Sequence, residues 1–256
     1  MTEHLLIDAV IALFGAVVGS FLNVCIVRLP ARESIVRPGS RCRDCERPLR
    51  WRENLPVVSW IALRGRCAGC SGRISAMYPL VELTTAGTFV GAWHSFGPTP
   101  LLASRLLLLS ALIVLAVTDL RERLLPNAIT LPGIAAGLAF GLVAPPGIRG
   151  AVAGVIVGGL VPLVVAEIYY RVRGEEGLGL GDVKMLGMIG AFLGASLALF
   201  TLFLASFLGV VVGLPLVAIK RDRRYQIPFG TLLAISAVLA VFAGGRVIDW
   251  YIGLYW

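Results

Sequence analysis

The sequence predicts an all-α polytopic membrane protein of about eight transmembrane helices carrying one polar, cysteine-bearing loop. Three observations predict it. Of 256 residues, 57% are hydrophobic and 15% charged, against roughly a quarter charged in soluble domains. Mean hydropathy is +0.86. The apolar residues fall into runs separated by short polar links, and at about 20 residues per crossing the chain has room for roughly eight and for no large soluble domain. Disordered, coiled-coil and disulfide-stapled secreted classes are excluded by the same composition.

The first helix spans Leu5 to Val27, broken only by Asp8 and Asn23. With no positive residues before it, and at that length, it reads as a membrane helix rather than a cleaved signal. From Arg28 to Met77 the character inverts, with eleven arginines, four acids and four cysteines. Apolar sequence returns over Tyr78 to Phe96, and the Gly97 to Pro100 stretch predicts a tight turn. The third helix runs from Leu101 to Thr118 and stops at Asp119, with a polar link to Arg123. Leu124 to Ile148 predicts a helix and then a turn at Pro145, Pro146 and Gly147; Gly150 to Tyr170 predicts the next crossing. After the polar run Arg171 to Glu176 and the glycines Gly177, Gly179 and Gly181, Asp182 opens a charge-free stretch, Met185 to Ile219. That length suits two short spans with a turn near Gly194 to Ser196. The cluster Lys220 to Arg224 precedes a last run, Tyr225 to Gly245, and a tail with Trp250, Tyr251, Tyr255 and Trp256, aromatics suited to a membrane interface.

Alternating crossings sort the charges. With the Arg28 to Met77 segment inside, 20 of the 23 Lys and Arg fall on inner loops, leaving Arg105, Arg149 and Arg246 outside. The positive-inside rule then places both chain ends outside. The net charge of +8 is mostly topology, and with no stacking platform or known binding fold, nucleic acid is not expected as a partner. The resulting divisions are 1–27 as the first helix, 28–77 as the polar loop and 78–256 as a multi-helix membrane domain.

Cys42 and Cys45 form one C-x2-C pair and Cys67 and Cys70 a second, 21 residues further on. Two such pairs supply four thiolates for tetrahedral zinc. On the reducing side of a membrane metal is favoured over disulfides. Four sulfur ligands leave no open position for water, so the zinc is structural, with redox-active or vacant thiols as the alternative. The loop is too short to bury much core, so the metal would carry much of its folding. Cys25, inside the first helix, reads as a small buried residue; His4 and His94 read as interfacial.

Acids within apolar helices are costly and therefore candidate functional residues. Six qualify: Asp8, Glu82, Asp119, Glu167, Asp182 and Asp249. Asp8 and Asp249 lie at outer ends, and Glu167 pairs with Arg171 one turn on. Asp119 and Asp182 share the inner side. A helix C-terminus is electrostatically unfavourable for Asp119, which argues for function, whereas Asp182 also suits a helix N-cap. Two neighbouring carboxylates share a proton, so that the ionised one activates water while the protonated one polarises a peptide carbonyl. Proton-coupled transport is the competing use, and an assembly component without catalysis a third. Neither a clear internal repeat nor broken mid-membrane helices favour a transporter.

The ordered set of motifs resembles the type IV prepilin peptidases, membrane aspartyl proteases of the GxGD class, over nearly the whole chain. It comprises Gly19 to Val24 with Arg28, Leu29 and Pro30; both cysteine pairs, with Asn54 to Trp60 between them; Tyr78 to Leu83; Asp119 with Leu125, Pro126 and Asn127; Gly179 to Lys184; and Ile227 to Gly230. Leu125 stands where the family usually has isoleucine, and Met77 where arginine is common. The resemblance implies cleavage of the basic leader of prepilins or pseudopilins, serving pilus assembly, secretion or DNA uptake, at the cytoplasmic face of a bacterial inner membrane. Asp119 and Asp182 match the catalytic aspartates, supported by Gly179, Gly181, Lys184, Pro126 and Asn127. Many relatives also methylate the new N-terminus with S-adenosylmethionine. Glu82 matches a family motif and is assigned either to methyl transfer and orientation of the site or to a buried hydrogen bond. Lys184 lies about 200° around a helix from Asp182, which suits lipid contact, and Asn127 suits a helix start. Oligomeric state is left open.

Overall fold

The computed structural model describes residues 2–174, 178–220 and 228–253. Glu175 to Gly177, Arg221 to Ile227, Tyr255 and Trp256, all named above, lie outside the described residues. The described chain is helical, without strands: α1 (Thr2–Arg28), α2 (Val58–Ala62), α3 (Met77–Phe96), α4 (Pro100–Glu122), α5 (Asn127–Phe140), α6 (Gly147–Arg173), α7 (Leu180–Leu193), α8 (Ala195–Lys220), α9 (Phe229–Leu239) and α10 (Gly245–Gly253). A π-turn over Ala240–Gly244 joins α9 to α10.

Among the described residues, five stretches are long and apolar enough to cross a membrane: His4–Arg28, Pro100–Glu122, Gly147–Arg173, Ala195–Gly213 and Phe229–Gly253. This is fewer than the eight expected, for a physical reason. α5 and α7 have 14 residues each, about 21 Å at 1.5 Å per residue, against a hydrocarbon layer of about 30 Å. α3 has 20 residues, among them Glu82 and His94.

Contacts divide the chain into two units, Met1–Pro98 and Thr99–Trp256. In the first, α1 packs along α3, with Phe14 and Phe89 rings 5.9 Å apart and Ile26, Cys25, Val81 and Ala92 buried. His94 pairs with Asp8 at 3.0 Å, a partner that sequence reading did not supply. The polar loop between these helices is not wholly turn-like: it contains a 3-10 turn at Trp51–Glu53 and the short α2.

In the second unit α7 is the central helix. Every residue from Met185 to Leu193 is buried, with α4, α5, α6, α8 and α9 packed around it; a helix apolar on all sides has to be enclosed. Leu108, Leu112 and Leu115 of α4 and Leu232 and Leu233 of α9 complete this core. The break between α7 and α8 falls at Gly194, within the expected turn. Thr99 caps α4, its hydroxyl accepting from Leu102 N–H at 3.3 Å with Pro100 at the first helical position. That helix does not stop at Asp119 but continues to Glu122, because Arg123 adopts a left-handed conformation and donates its N–H to the Asp119 carbonyl at 2.8 Å. Arg105, expected at an outer surface, is buried and donates to the Phe192 carbonyl at 2.7 Å, satisfying the C-terminal end of α7.

α6 and α7 approach closely at Gly154 and Gly190, where a Cβ on either residue would overlap the other's carbonyl. Gly154→Leu is expected to force the helices apart and lower stability by at least about 1–3 kcal/mol. Gly159 on the same helix has open space around its Cα, so Gly159→Leu is expected to be close to neutral. Equal thermal unfolding of the two variants in detergent would contradict the close packing.

Candidate active site and metal centre

The cysteine cluster lies within the first unit. Each pair is closed by a short backbone hairpin: Cys42 N–H donates to the Arg47 carbonyl at 3.0 Å and Cys67 N–H to the Gly72 carbonyl at 2.9 Å, with antiparallel bridges Arg41 to Pro48 and Arg66 to Arg73 around them. The four sulfurs lie within 4.8 Å of one another and could hold a metal ion. Cys42 Sγ and Cys70 Sγ are 3.8 Å apart, the separation of about 3.8 Å that tetrahedral bonds of about 2.3 Å require. The backbone N–H groups of Cys70 and Gly69 hold the Cys67 thiol down to about 6. Cys70 accepts from the Gly72 N–H, yet crowding by the sulfurs of Cys45, Cys42 and Cys67 pushes it up to about 12. Four sulfurs in one small volume cannot all ionise alone, whereas a dication makes all four thiolates favourable.

Arg47 lies beside this cluster. Its Nη2 donates to Glu53 Oε1 at 2.9 Å and to Oε2 at 3.0 Å, and it also interacts with the Cys67 sulfur. The salt bridge and the Arg50 N–H hold the Glu53 carboxyl below its ordinary range. A guanidinium here offsets the negative charge of a thiolate set and orients one of its members.

Glu82, on α3, is buried, and its Oε2 accepts from Val57 N–H at 2.7 Å. Val57 has φ +61, rare for a β-branched residue. Glu82 therefore fixes the backbone at which α2 begins. Ser20 on α1 is a second hydrogen-bond partner.

The aspartates belong to the second unit. Asp119, buried near the end of α4, accepts from Thr231 N–H at 2.7 Å through Oδ2. Asp182 lies in the first turn of α7, half-buried, its N–H donating to the Gly179 carbonyl at 3.0 Å. The start of α7 that carries Asp182 and the end of α4 that carries Asp119 come together around Leu125. Leu125 lies between the strand of chain at Gly181 and that at Gly230, where Cβ atoms would come within 3.2 and 2.9 Å of it. Gly230 is also required by Asp119, whose Cγ would be 3.1 Å from an added Cβ. Glycines at these two positions let the starts of α7 and α9 reach the end of α4.

Pro126 is buried as the residue before α5, and Asn127 begins that helix. Lys184 donates to Asn127 Oδ1 at 3.0 Å, an exposed link between the starts of α7 and α5. Glu167 and Arg171 form the expected i, i+4 pair at 2.7 Å. Thr231 and Arg47 escaped sequence reading; Thr231 directly follows the Pro228, Phe229, Gly230 motif, its one local signal.

Comparison with known proteins gives a consistent result. The profile for the Bacterial Peptidase A24 N-terminal domain matches residues 13–96, and that for the Type IV leader peptidase family matches residues 106–214. The chain is 36% identical over 270 residues to the prepilin leader peptidase/N-methyltransferase of Aeromonas hydrophila, covering 95% of this chain and 93% of that protein. It is 38% identical over 260 residues to the protein of that name from Pseudomonas putida, covering 91% and 89%. Identity to the Myxococcus xanthus protein of that name is 45% over 203 residues, or 78% of this chain and 60% of that longer relative. No solved structure matches the chain. Its two halves carry the two domains in order, and the chain belongs to the type IV leader peptidase family.

Proposed function

We propose that this protein is a membrane aspartyl endopeptidase that cleaves the leader of prepilins or pseudopilins, with Asp119 and Asp182 as its catalytic pair. The observation that carries this reading is the placement of the two carboxylates on helix ends that meet around Leu125, in a chain whose relatives are named prepilin leader peptidases. Such a pair retains one proton: the ionised member takes a proton from water, and the protonated member polarises the scissile carbonyl. Gly179, Gly181, Pro126, Asn127 and Lys184 support the pair by setting where α7 and α5 begin. No feature of the site favours the transporter alternative.

The finer assignments follow the same reading. Cys42, Cys45, Cys67 and Cys70 hold structural zinc, which cross-links the two hairpins of a 28–77 loop. Helices α3, α5 and α7 join the five long spans to make eight crossings, with 1–27 as the first and 78–256 as the peptidase domain. The 20 inner Lys and Arg support a cytoplasmic loop and cytoplasmic aspartates in a bacterial inner membrane, with lipid on the outer faces of the helices. The relatives' names extend to N-methylation, for which S-adenosylmethionine supplies the methyl group. Glu82, bound by Val57 and Ser20, positions the loop and keeps acceptor capacity for a part in methyl transfer.

The test is incubation of the purified protein in lipid with a prepilin bearing its leader. Mass spectrometry is expected to show one cut between the basic leader and the hydrophobic helix, and one added methyl when S-adenosylmethionine is supplied. Intact prepilin together with proton movement across vesicles would overturn the peptidase reading; a cut product without the methyl would remove only the second activity.

A further inference from the structure

Thr231 is the third residue of α9, whose N-cap position is Pro228 and lacks a side-chain cap. Its N–H is one of the donors that a helix start leaves without an internal partner. Asp119, from α4 and 112 residues away, takes that place: Thr231 N–H lies 2.7 Å from Asp119 Oδ2, and the Thr231 hydroxyl 3.1 Å from the same oxygen. The hydroxyl has a second acceptor, the Ala116 carbonyl at 3.0 Å. A hydroxyl has one proton to give. Directed at Oδ2, it joins the Thr231 N–H in a two-donor clamp on that oxygen of an ionised Asp119; directed at Ala116, it leaves only backbone donors on the carboxylate.

Both donors favour negative charge on Asp119, as does the N-terminal end of α9. The other groups acting on Asp119 are the Gly230 N–H at the same helix start, Arg123, which follows α4, and Asp182 of α7. Lys184 of α7 is engaged with Asn127 of α5, and α9 carries no charged residue from Phe229 to Leu239. Asp182 meets the Gly179 backbone of its own helix start, a weaker set of donors than that around Asp119.

We infer that Thr231 is a positioning residue that fixes the charge of the pair on Asp119, occupying Oδ2 so that Oδ1 is the oxygen that exchanges protons, while Asp182 keeps the shared proton. The inference rests on the reading of Asp119 and Asp182 as the reacting pair. In the first step water's oxygen bonds to the scissile carbonyl carbon, its proton passes to Asp119 Oδ1, and the Asp182 proton passes to the carbonyl oxygen. In the second the carbon–nitrogen bond breaks, the nitrogen receives the proton from Asp119, and one hydroxyl of the diol returns a proton to Asp182. The pair ends as it began.

Thr231→Val keeps the N–H and the shape but removes the hydroxyl, and Thr231→Ser restores it. Losing a donor to the charged form makes Asp119 harder to ionise. The acid limb of kcat/KM for leader cleavage is therefore expected to move up by about one to two pH units in the valine variant, with KM on the plateau unchanged and the wild-type profile recovered with serine. Thr231→Ala gives the same comparison if the valine variant does not fold, as judged by thermal unfolding. An acid limb that stays in place overturns the inference, whether kcat is unchanged or falls uniformly. Asp119→Asn separates the two levels: normal cleavage by that variant would remove the catalytic pair itself, whereas an inactive Asp119→Asn beside an unmoved acid limb removes only the assignment to Thr231.

Discussion

Leader cleavage is expected to fall by at least about 10²-fold, and up to about 10⁴-fold, when either Asp119 or Asp182 is replaced by Asn. Asn has nearly the same volume as Asp, and its carbonyl oxygen can still accept the Thr231 N–H that Asp119 Oδ2 accepts at 2.7 Å. It is also a favoured residue at helix starts, so α9 and α7 both keep their ends. Only the capacity to take and return a proton is lost. The measurement is cleavage of a leader-bearing prepilin in membranes, with thermal unfolding as a control on the fold. Because the two carboxylates act as a unit, the double variant is expected to be no slower than the weaker single one. Cleavage at the wild-type rate by either single variant would refute the pairing.

Loss of metal is the second large effect expected. Among residues 28–77, all of them described, only Gly65 and Cys67 are buried, so apolar burial cannot hold this segment in shape. Structural zinc supplies about 10–16 kcal/mol in small domains of this kind. Replacing Cys42 and Cys67 together by Ser is expected to lower bound zinc from one ion per chain to none and to unfold the loop. The eleven arginines between Arg28 and Met77 make trypsin a sensitive probe: wild type should resist cutting there, and the variant or chelator-treated protein should be cut rapidly. Acid is expected to release the ion too, since protons compete for the thiolates. Metal-free protein with wild-type resistance would show that the sulfurs hold no structural ion.

The apolar runs located α1, α3, α4, α6 and α8 to within about four residues, because lipid-facing and enclosed helices both need continuous apolar sequence. The last run predicts an end at Gly245, whereas the helix continues through α10 to Gly253; the charged and aromatic residues of α10 lie on an amphipathic turn rather than in an apolar run. Asp119 and Asp182 stood out for the same reason, as charges that such sequence does not tolerate without cause. The cysteine spacing identified four sulfurs that lie together, since two short turns determine most of that geometry locally. Three features were not legible. The extension of α4 past Asp119 depends on the left-handed conformation of Arg123, which no local pattern announces. Arg105 turned inward because the end of α7 offers it the Phe192 carbonyl, and that meeting is decided by packing across 87 residues. Thr231 meets Asp119 across 112 residues for a similar reason: the capping partner of α9 comes from another helix, while sequence reading looks for caps beside the helix they close.

The shortness of α7 bears on the supply of a reactant. Each peptide bond hydrolysed consumes one water molecule, which hydrocarbon does not provide. A 14-residue helix falls about 9 Å short of the hydrocarbon thickness, and the partly exposed residues of α7 are at the Asp182 end, while Met185 to Leu193 are enclosed. α5, equally short, packs beside it and begins at the exposed Asn127. The starting ends of the two short helices, joined at Lys184 and Asn127, are the partly exposed end of this packing, so water meets Asp182 there from outside the enclosed core.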